Sequence, residues 1–398
     1  MSSSEAYRGG CRIVVKAGKA PFIRRNRHPW IYQQTVAEIQ GNPEDSNLAA
    51  VVAHDGSHLG WGFFSPRSLI AVRMVSFDEQ MPADGWIEDR IRSACQLRRS
   101  VPLDTDSMRL VNSEGDHVPG LVADLLGDTV VLTLHVKGME ILVDRVADCM
   151  RELFPGLRVF LKRDPHYAAI EGLSRPDGYL RGEGDGTSVV REGNVRFSVD
   201  YAQGQKTGFY LDQRENRRIC AACSQGRSVL NLFSYSGAFG LLAAAAGARA
   251  VVSVESSRKA VELSQRNVEL NPGIPSGSLQ WVREDVFRFL DNPGRYDVAV
   301  ADPPPFARKR SEVQGAIRGY TRLFQSVIQC LSPGGLAFLF SCSGAIDRLA
   351  FRRIVSEAST RSGRRTRLLR ELHADVDHPV APSHPEGEYL KGWLLNAE

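Results

Sequence analysis

The stretch Ser228–Ser257, SVLNLFSYSGAFGLLAAAAGARAVVSVESS, decides how the chain is read. An apolar run (Val229, Leu230, Leu232, Phe233) ends in Ser234-Tyr235-Ser236-Gly237. An alanine-rich helical pattern follows to Gly247, and a second apolar run ends in Glu255. This order predicts strand, tight turn, helix, strand, which is one right-handed βαβ unit. Small residues at the turn let the backbone approach a ligand where the helix opens. Glu255, ending the second strand, stands where such folds bind ribose hydroxyls.

A glycine turn alone is weak, because it also serves ordinary helix–strand packing. Two later stretches add to it. Trp281 to Phe287 predicts a third strand ending in the acid Asp285, and Tyr296 to Pro304 a fourth ending in Asp302-Pro303-Pro304. Successive strands with polar or acidic carboxyl ends describe an open α/β sheet with a ligand across its edge. The order of glycine turn, Glu, Asp and Asp-Pro-Pro resembles an S-adenosylmethionine-dependent methyltransferase.

At 398 residues the chain is long enough for two or three domains. Hydrophobic content of 42% and charged content of 24% are those of a globular protein, and the +4 net charge permits an acidic partner without requiring one. No apolar run has membrane-span length, and MSSSEAYRGG lacks a secretory apolar core and reads as a disordered leader. Seven scattered cysteines predict reduced thiols in a cytoplasm. Cys220-Ala-Ala-Cys223 has half of a zinc pattern and no second pair, so it reads as helix-packing cysteines and no metal is expected.

Ahead of the sheet, short strands are expected near 12–16, 49–54, 60–64 and 69–74, followed by a helix over 86–100. Strands near 108–111, 118–124 and 129–135, a helix over 140–153 and a strand at 159–163 complete a compact α+β unit. Residues 173–186, rich in Gly, Asp, Arg and Pro, predict a linker, and 189–201 a hairpin turning at Gly193-Asn194. In Phe22 to Tyr32, Arg24, Arg25, Arg27 and His28 interleave with aromatics including Trp30. That combination suits phosphate contacts and base stacking, and equally a solvated basic turn over a core Trp.

The stretches RRNRHPWIY, KTGFYLDQREN, NLFSYSGAF, DPP-F, FSCSG and HPEGEYLKG resemble the bacterial large-subunit ribosomal RNA cytosine-5 methyltransferases. The likeness covers the chain past the leader. It implies an α/β fold class: a Rossmann-like methyltransferase domain (188–398) behind a β-rich PUA-like RNA-binding domain (11–79) and a central α+β domain with linker (80–187). It further implies S-adenosylmethionine as cofactor and 23S ribosomal RNA, free or in an assembly intermediate, as partner. The location would be cytoplasmic, with no membrane; oligomeric state stays open, a homodimer included.

Cytosine C5 is a poor nucleophile until a thiolate adds at C6, so the chemistry needs a cysteine, a group near N3 and a base. An apolar run over 336–340, after the turn Pro333-Gly334-Gly335, delivers Ser341-Cys342-Ser343-Gly344 to the sheet's active edge. Spacing alone leaves Cys342 as readily a packing cysteine. The resemblance makes it the nucleophile, with Asp302 the acid that holds or protonates the base. For the cofactor, Phe233, Ser234, Tyr235 and Gly237 would back the methionine portion, Glu255 the ribose, and Asp285 and Val286 the adenine. Tyr210, Asp212 and Gln213 would close over it. Arg308, Lys309 and Arg318 would touch RNA. Pro305 stands where the family usually has Lys, and it separates Asp-Pro-Pro from Phe306, unlike amino-group methyltransferases. His378 and His384 read as packing or capping residues before catalytic bases. Two other readings remain: a guanine-nitrogen methyltransferase of the same RNA, and a non-catalytic RNA-binding protein that keeps the fold.

Overall fold

The computed structural model describes residues 10–42, 48–307 and 309–398. The leader, residues 1–9, and Arg308 lie outside the described residues. Three sheets follow one another along the chain, with a hairpin before the last.

The catalytic half is built on seven strands: β1 (Ser228–Leu232), β2 (Ala250–Val254), β3 (Leu279–Val282), β4 (Tyr296–Ala301), β5 (Leu331–Ser341), β6 (Thr366–Leu372) and β7 (Lys391–Ala397). Their spatial order is β3-β2-β1-β4-β5-β7-β6. The first five run parallel; β7 is antiparallel to both β5 and β6. Helices α1 (Arg214–Ala222), α2 (Ala238–Ala245), α3 (Arg258–Glu269), α4 (Val286–Phe289), α5 (Val313–Gln329) and α6 (Arg348–Ser362) accompany them. Strands covered on both faces read as unbroken apolar runs, and Val298, Val300, Phe338 and Phe340 on one face and Ala299, Ala301 and Leu339 on the other are fully buried. The alanine-rich α2 follows from close packing: a Cβ at Gly240 would lie 2.9 Å from Ser253 Oγ and 3.0 Å from Val251 Cγ1.

The first sheet has six strands within 12–76, and a five-stranded sheet spans 107–181. Sequence patterning misses the helix Ala20–Asn26, strands Trp30–Tyr32 and Val36–Gln40, and the helix Pro165–Glu171, which Asp164 caps. The expected linker contains a strand, Gly178–Arg181, paired with Arg158–Leu161. Tyr179 explains it: the ring packs on Phe160 at 5.1 Å and its hydroxyl lies 2.6 Å from that of the fully buried Tyr201. The hairpin Thr187–Glu192/Val195–Asp200 forms across Gly193-Asn194 and shares its core with the catalytic sheet.

Three boundaries shift in the catalytic half. The third strand ends at Val282, because Asp285 leaves it to cap α4. The fifth begins at Leu331 and runs through Pro333-Gly334-Gly335. The final hairpin pairs β6 with β7, while residues 373–390 form a loop over the active edge. That loop is tied down by Arg214, which bonds Asp375 at 2.6 Å and Asp377 at 2.8 Å. Among the described residues no helix is long and apolar enough to cross a membrane.

Candidate active site

The turn after β1 holds two non-glycine residues in the left-handed region, Phe233 (φ 55) and Tyr235 (φ 44), before Gly237 (φ 77) opens α2. Such residues cost of order 1–3 kcal/mol each unless neighbours fix them, and they gather at ligand sites. Here α3 does the fixing: Ser264 Oγ donates to Tyr235 O at 2.8 Å and Asn267 Nδ2 to Ser236 O at 2.9 Å. Tyr235 N–H donates to Glu255 Oε2 at 3.0 Å, binding the turn to the end of β2. A Cβ at Gly237 would meet Ser264 Oγ at 3.1 Å, so the close backbone requires glycine. Within the turn Ser234 Oγ is buried without a hydrogen-bond partner.

Glu255 Oε1 also accepts from Ser257 N–H at 2.8 Å and from Ser256 Oγ at 3.4 Å, while Oε2 keeps a lone pair beyond its backbone contact. Asp285 Oδ1 accepts from Phe287 and Arg288 N–H, and Val286 beside it is buried. The turn, Glu255, Asp285 and Val286 thus line successive strand ends, β1 to β3, at the parallel sheet's carboxyl edge.

Asp302 follows β4. Its Oδ2 accepts from Gln213 Nε2 at 3.0 Å, and Asn216 Nδ2 holds Gln213 Oε1 at 2.6 Å. Burial, then the charge of Asp212, push the Asp302 carboxyl up to about 7, against the pull of Gln213 and Lys206. Asp212 goes the other way. Burial would raise it, but Lys206, His378 and a hydrogen bond from Tyr389 together hold it below the usual carboxylate range. Tyr389 OH donates to Asp212 Oδ2 at 2.5 Å, while Asp212 Oδ1 is buried without a partner. Two neighbouring carboxyls pushed apart in this way divide the labour: one stays ionised and the other can carry a proton near neutrality. Tyr210 packs edge-on against Tyr235 at 5.3 Å, with Lys206 Nζ 4.5 Å from its ring centroid.

Cys342 follows β5, the strand beside β4, and is half-buried with Sγ 3.8 Å from Pro303 O. Burial and then Asp302 push the thiol up to about 12. Lys391, opposite Ser341 in the β5–β7 pairing, is buried and donates from Nζ to Ser343 O at 2.9 Å and Tyr389 O at 2.7 Å. Burial brings its ammonium down to about 8, opposed by Cys342. Ser343 Oγ donates to Ala307 O at 2.5 Å, joining the cysteine turn to the loop after Asp-Pro-Pro. In that loop Phe306 is stacked on the buried Tyr320 at 4.4 Å.

Lys206, Asn216, Tyr389 and Lys391 are the residues that sequence reasoning leaves without a role. All four stand inside the quoted motifs KTGFYLDQREN and HPEGEYLKG, which were the only available signal. Gln213 contacts Asp302, and Asp212, the other acid of the pair, contacts Tyr389.

The residues read as RNA contacts separate into two groups. Arg24, Arg25 and Arg27 are exposed on or just after the helix Ala20–Asn26, as are Lys309 and Arg318 near α5. His28 and Trp30 turn inward instead. His28 Nε2 lies 3.0 Å from Glu386 Oε2; Trp30 Nε1 donates to Glu114 at 2.7 Å and its ring meets that of His384 at 4.4 Å. They join the first sheet to the loop over the active edge. His378 Nδ1 is bonded to Asp377 at 2.7 Å and His384 packs on Trp30. Cys220 is buried in α1, and among the described residues no three His, Cys, Asp or Glu side chains gather as metal ligands.

Comparison with known proteins agrees with this layout. Residues 162–365 match the family model of S-adenosylmethionine-dependent methyltransferases, and residues 13–77 that of a PUA-like domain. Ribosomal RNA large subunit methyltransferase I of Aeromonas hydrophila is 36% identical over 393 residues, covering 96% of this chain and 98% of the relative. The protein of the same name from Vibrio vulnificus is 36% identical over 389 residues, covering 96% and 97%. Among solved structures, a methyltransferase, SMU.776, complexed with SAH superposes with a TM-score of 0.82 at 21% identity, over 97% of this chain and 99% of the other.

Proposed function

We propose that this chain, which belongs to the ribosomal RNA large subunit methyltransferase I family of S-adenosylmethionine-dependent enzymes, methylates C5 of a cytidine in 23S ribosomal RNA through a covalent bond from Cys342 to C6. The observation that carries this reading is the adjacency of Cys342 and Asp302 at the ends of neighbouring strands, the thiol 3.8 Å from Pro303 O and the carboxyl raised to about 7. The division into a PUA-like unit (11–79), a central unit (80–187) and a methyltransferase unit (188–398), and a cytoplasmic site of action, belong to the same proposal.

When bound, S-adenosylmethionine supplies an electrophilic methyl on a sulfonium sulfur. The residues fit it: the close turn at Gly237, the partnerless Ser234 Oγ and the strand-end acids Glu255 and Asp285 offer the contacts it needs. Phe233, Tyr235 and Val286 complete its walls, with Tyr210, Asp212 and Gln213 on the substrate side.

A base takes the Cys342 thiol proton, Sγ bonds to C6, and protonated Asp302 gives its proton to N3 of the cytosine, which leaves C5 electron-rich. Until it is given up, that proton removes the Asp302 charge that opposes the thiolate. With the methyl on C5, loss of the C5 proton to a base sends the electron pair back to form C5=C6 and expels the thiolate, and N3 returns its proton to Asp302. Lys391 stabilises the thiolate at either end of the cycle. RNA is gripped by Arg24, Arg25 and Arg27, with His28 and Trp30 setting the angle of the first sheet, and by Lys309 and Arg318 beside the site; Arg308, which the sequence adds to this group, lies outside the described residues.

A guanine-nitrogen methyltransferase would need an aromatic free to stack directly after Asp-Pro-Pro. Pro305 intervenes, and Phe306 is occupied by Tyr320. Methyl transfer from labelled cofactor to ribosomal RNA of a strain lacking this gene, followed by nucleoside analysis, separates the readings. Label in 5-methylcytidine that disappears with Cys342→Ala is expected. Label in a guanosine, or full activity without the thiol, would remove the cytosine mechanism.

A further inference from the structure

We propose that the outer face of α6 and the edge strand β6 is a second RNA-binding surface, one that grips the phosphate backbone of the substrate away from the PUA-like unit. The inference rests on the reading that ribosomal RNA is the substrate. Between Arg348 and Arg370 the chain carries eight arginines against one acid, Glu357. The full chain nets only +4, so the remainder is net acidic and its positive charge is concentrated here. A concentration of one sign along one edge of a molecule is the electrostatic footprint of a polyanion partner.

The geometry separates structural arginines from available ones. Arg364 is half-buried and spends its guanidinium on carbonyls of Ile328, Ser332, Ala397 and Glu398. The other seven are exposed. Arg348 and Arg361 meet exposed acids, Glu388 at 3.0 Å and Glu357 at 2.5 Å, and Arg367 meets Glu398; such surface pairs are worth little and exchange readily with phosphate. Arg352 lies over Trp393 at 5.8 Å. Arg353, Arg365 and Arg370 form no ion pair among the described residues.

Position matters as much as charge. α6 leaves the Cys342 turn, and β6 runs parallel to β5, so Arg348, Arg352 and Arg370 stand near the active edge and Arg361, Arg365 and Arg367 at the far end. Arg367 and Arg370 pair with Asn396 and Leu394 on the sheet face away from α6, so the arginines straddle the sheet's free edge. At about 3.3 Å per residue the seven residues of β6 span roughly 20 Å. That is room for about six phosphates of a stacked strand. Between helix and strand runs a groove of ≈ 310 Å³ with an apolar floor of Leu368, Trp393 and Leu395 and walls that carry the hydroxyls of Ser356, Ser359, Thr360 and Thr366, groups that hydrogen-bond phosphate and ribose. Self-association on this face would bring two arginine stripes together, which disfavours a second copy as its occupant.

The test replaces Arg353, Arg365 and Arg370 together, by Gln in one variant and by Lys in another, in the full chain. Affinity for a large-subunit ribosomal RNA fragment is measured by filter binding across a salt series. For the Gln variant the slope of log K against log salt should flatten by about 2, at about 0.7 per lost contact to a single strand. Binding should weaken about tenfold or more at low salt, with the turnover rate at saturating RNA unchanged. The Lys variant should bind close to wild type. Unchanged affinity and slope in the Gln variant overturn the proposal, as does an equal loss in the Lys variant. Binding of an acidic protein that the Gln variant loses while RNA affinity stays intact would reassign the face. A wild-type chain with no affinity for the RNA would instead refute the substrate reading itself.

Discussion

Replacing Asp302 by Asn should stabilise the fold at alkaline pH while disabling the reaction. The carboxyl is raised from 3.8 to about 7 by burial and by Asp212. In the unfolded chain it ionises at the ordinary value. Below that value both states hold the proton and the native state loses nothing. As pH climbs, the unfolded chain releases its proton first, so stability falls until the folded group also titrates near 7 and then levels off. At about 1.36 kcal/mol per unit, that rise corresponds to a native-state penalty of about 4 kcal/mol above neutrality, and contact with solvent reduces it to about 2–4. Asn keeps an acceptor for Gln213 Nε2 and carries no charge, so the penalty vanishes. Urea unfolding of wild type and Asp302→Asn at pH 4.5 and 8 measures the difference. The variant's advantage should be small at the lower pH and open to the full figure at the higher. Single-turnover methyl transfer should fall by about 10²–10⁴, the usual range for a lost general acid. A variant no more stable than wild type at pH 8, or an advantage independent of pH, would show that the carboxyl ionises cheaply and would refute this account of it.

Three further outcomes follow from the geometry. Arg217→Met strands the buried Glu192, whose oxygens it meets from Nε at 2.8 Å and from NH2; breaking such pairs costs about 3–5 kcal/mol. The lower end is expected in urea unfolding because Arg214 Nε stays 3.8 Å from Glu192, and adding Glu192→Gln should recover part of the loss. Gly237→Ala, at φ 77 with a Cβ 3.1 Å from Ser264 Oγ, should weaken S-adenosylhomocysteine binding about tenfold by calorimetry, since 1.4 kcal/mol of strain in the turn is one decade. Unaltered affinity would mean that the turn does not touch the cofactor. Lys391→Met should raise the Cys342 thiol pKa and slow its alkylation by iodoacetamide between pH 7 and 10, read by peptide mapping; an unchanged pH profile would exclude electrostatic support from Lys391.

The catalytic sheet was legible because its strands are covered on both faces. Val298 to Ala301 and Phe338 to Phe340 are continuous apolar runs, and each ends where the chain becomes polar at the ligand edge. The acids Glu255 and Asp302 could be placed at strand ends from that alone, whereas Asp285 lies past the end of its half-exposed strand and caps the next helix. What failed was information that lives in distant partners. Nothing local marks Gly178–Arg181 as a strand, since Tyr179 is held by Phe160 and Tyr201. Trp30 reads in sequence as either a stacking or a core residue, and only its distant partners Glu114 and His384 show where its ring is held. Lys391 looks like one more basic residue until the pairing with Ser341 puts its ammonium beneath the cysteine turn. The eight arginines from Arg348 to Arg370 form no motif in the sequence; the packing of α6 beside the edge strand β6 is what brings them to one edge of the sheet.

The most direct test of the central claim is capture of the adduct. Ribosomal RNA containing 5-fluorocytidine accepts the thiolate and the methyl but has no C5 proton to lose, so the C6–S bond persists. Denaturing gels of the wild-type chain with this RNA and S-adenosylmethionine should show a cofactor-dependent protein–RNA band, with the crosslink mapped to Cys342 and absent from Cys342→Ala. No band, or one that survives in Cys342→Ala, would contradict the assignment of Cys342 as the nucleophile.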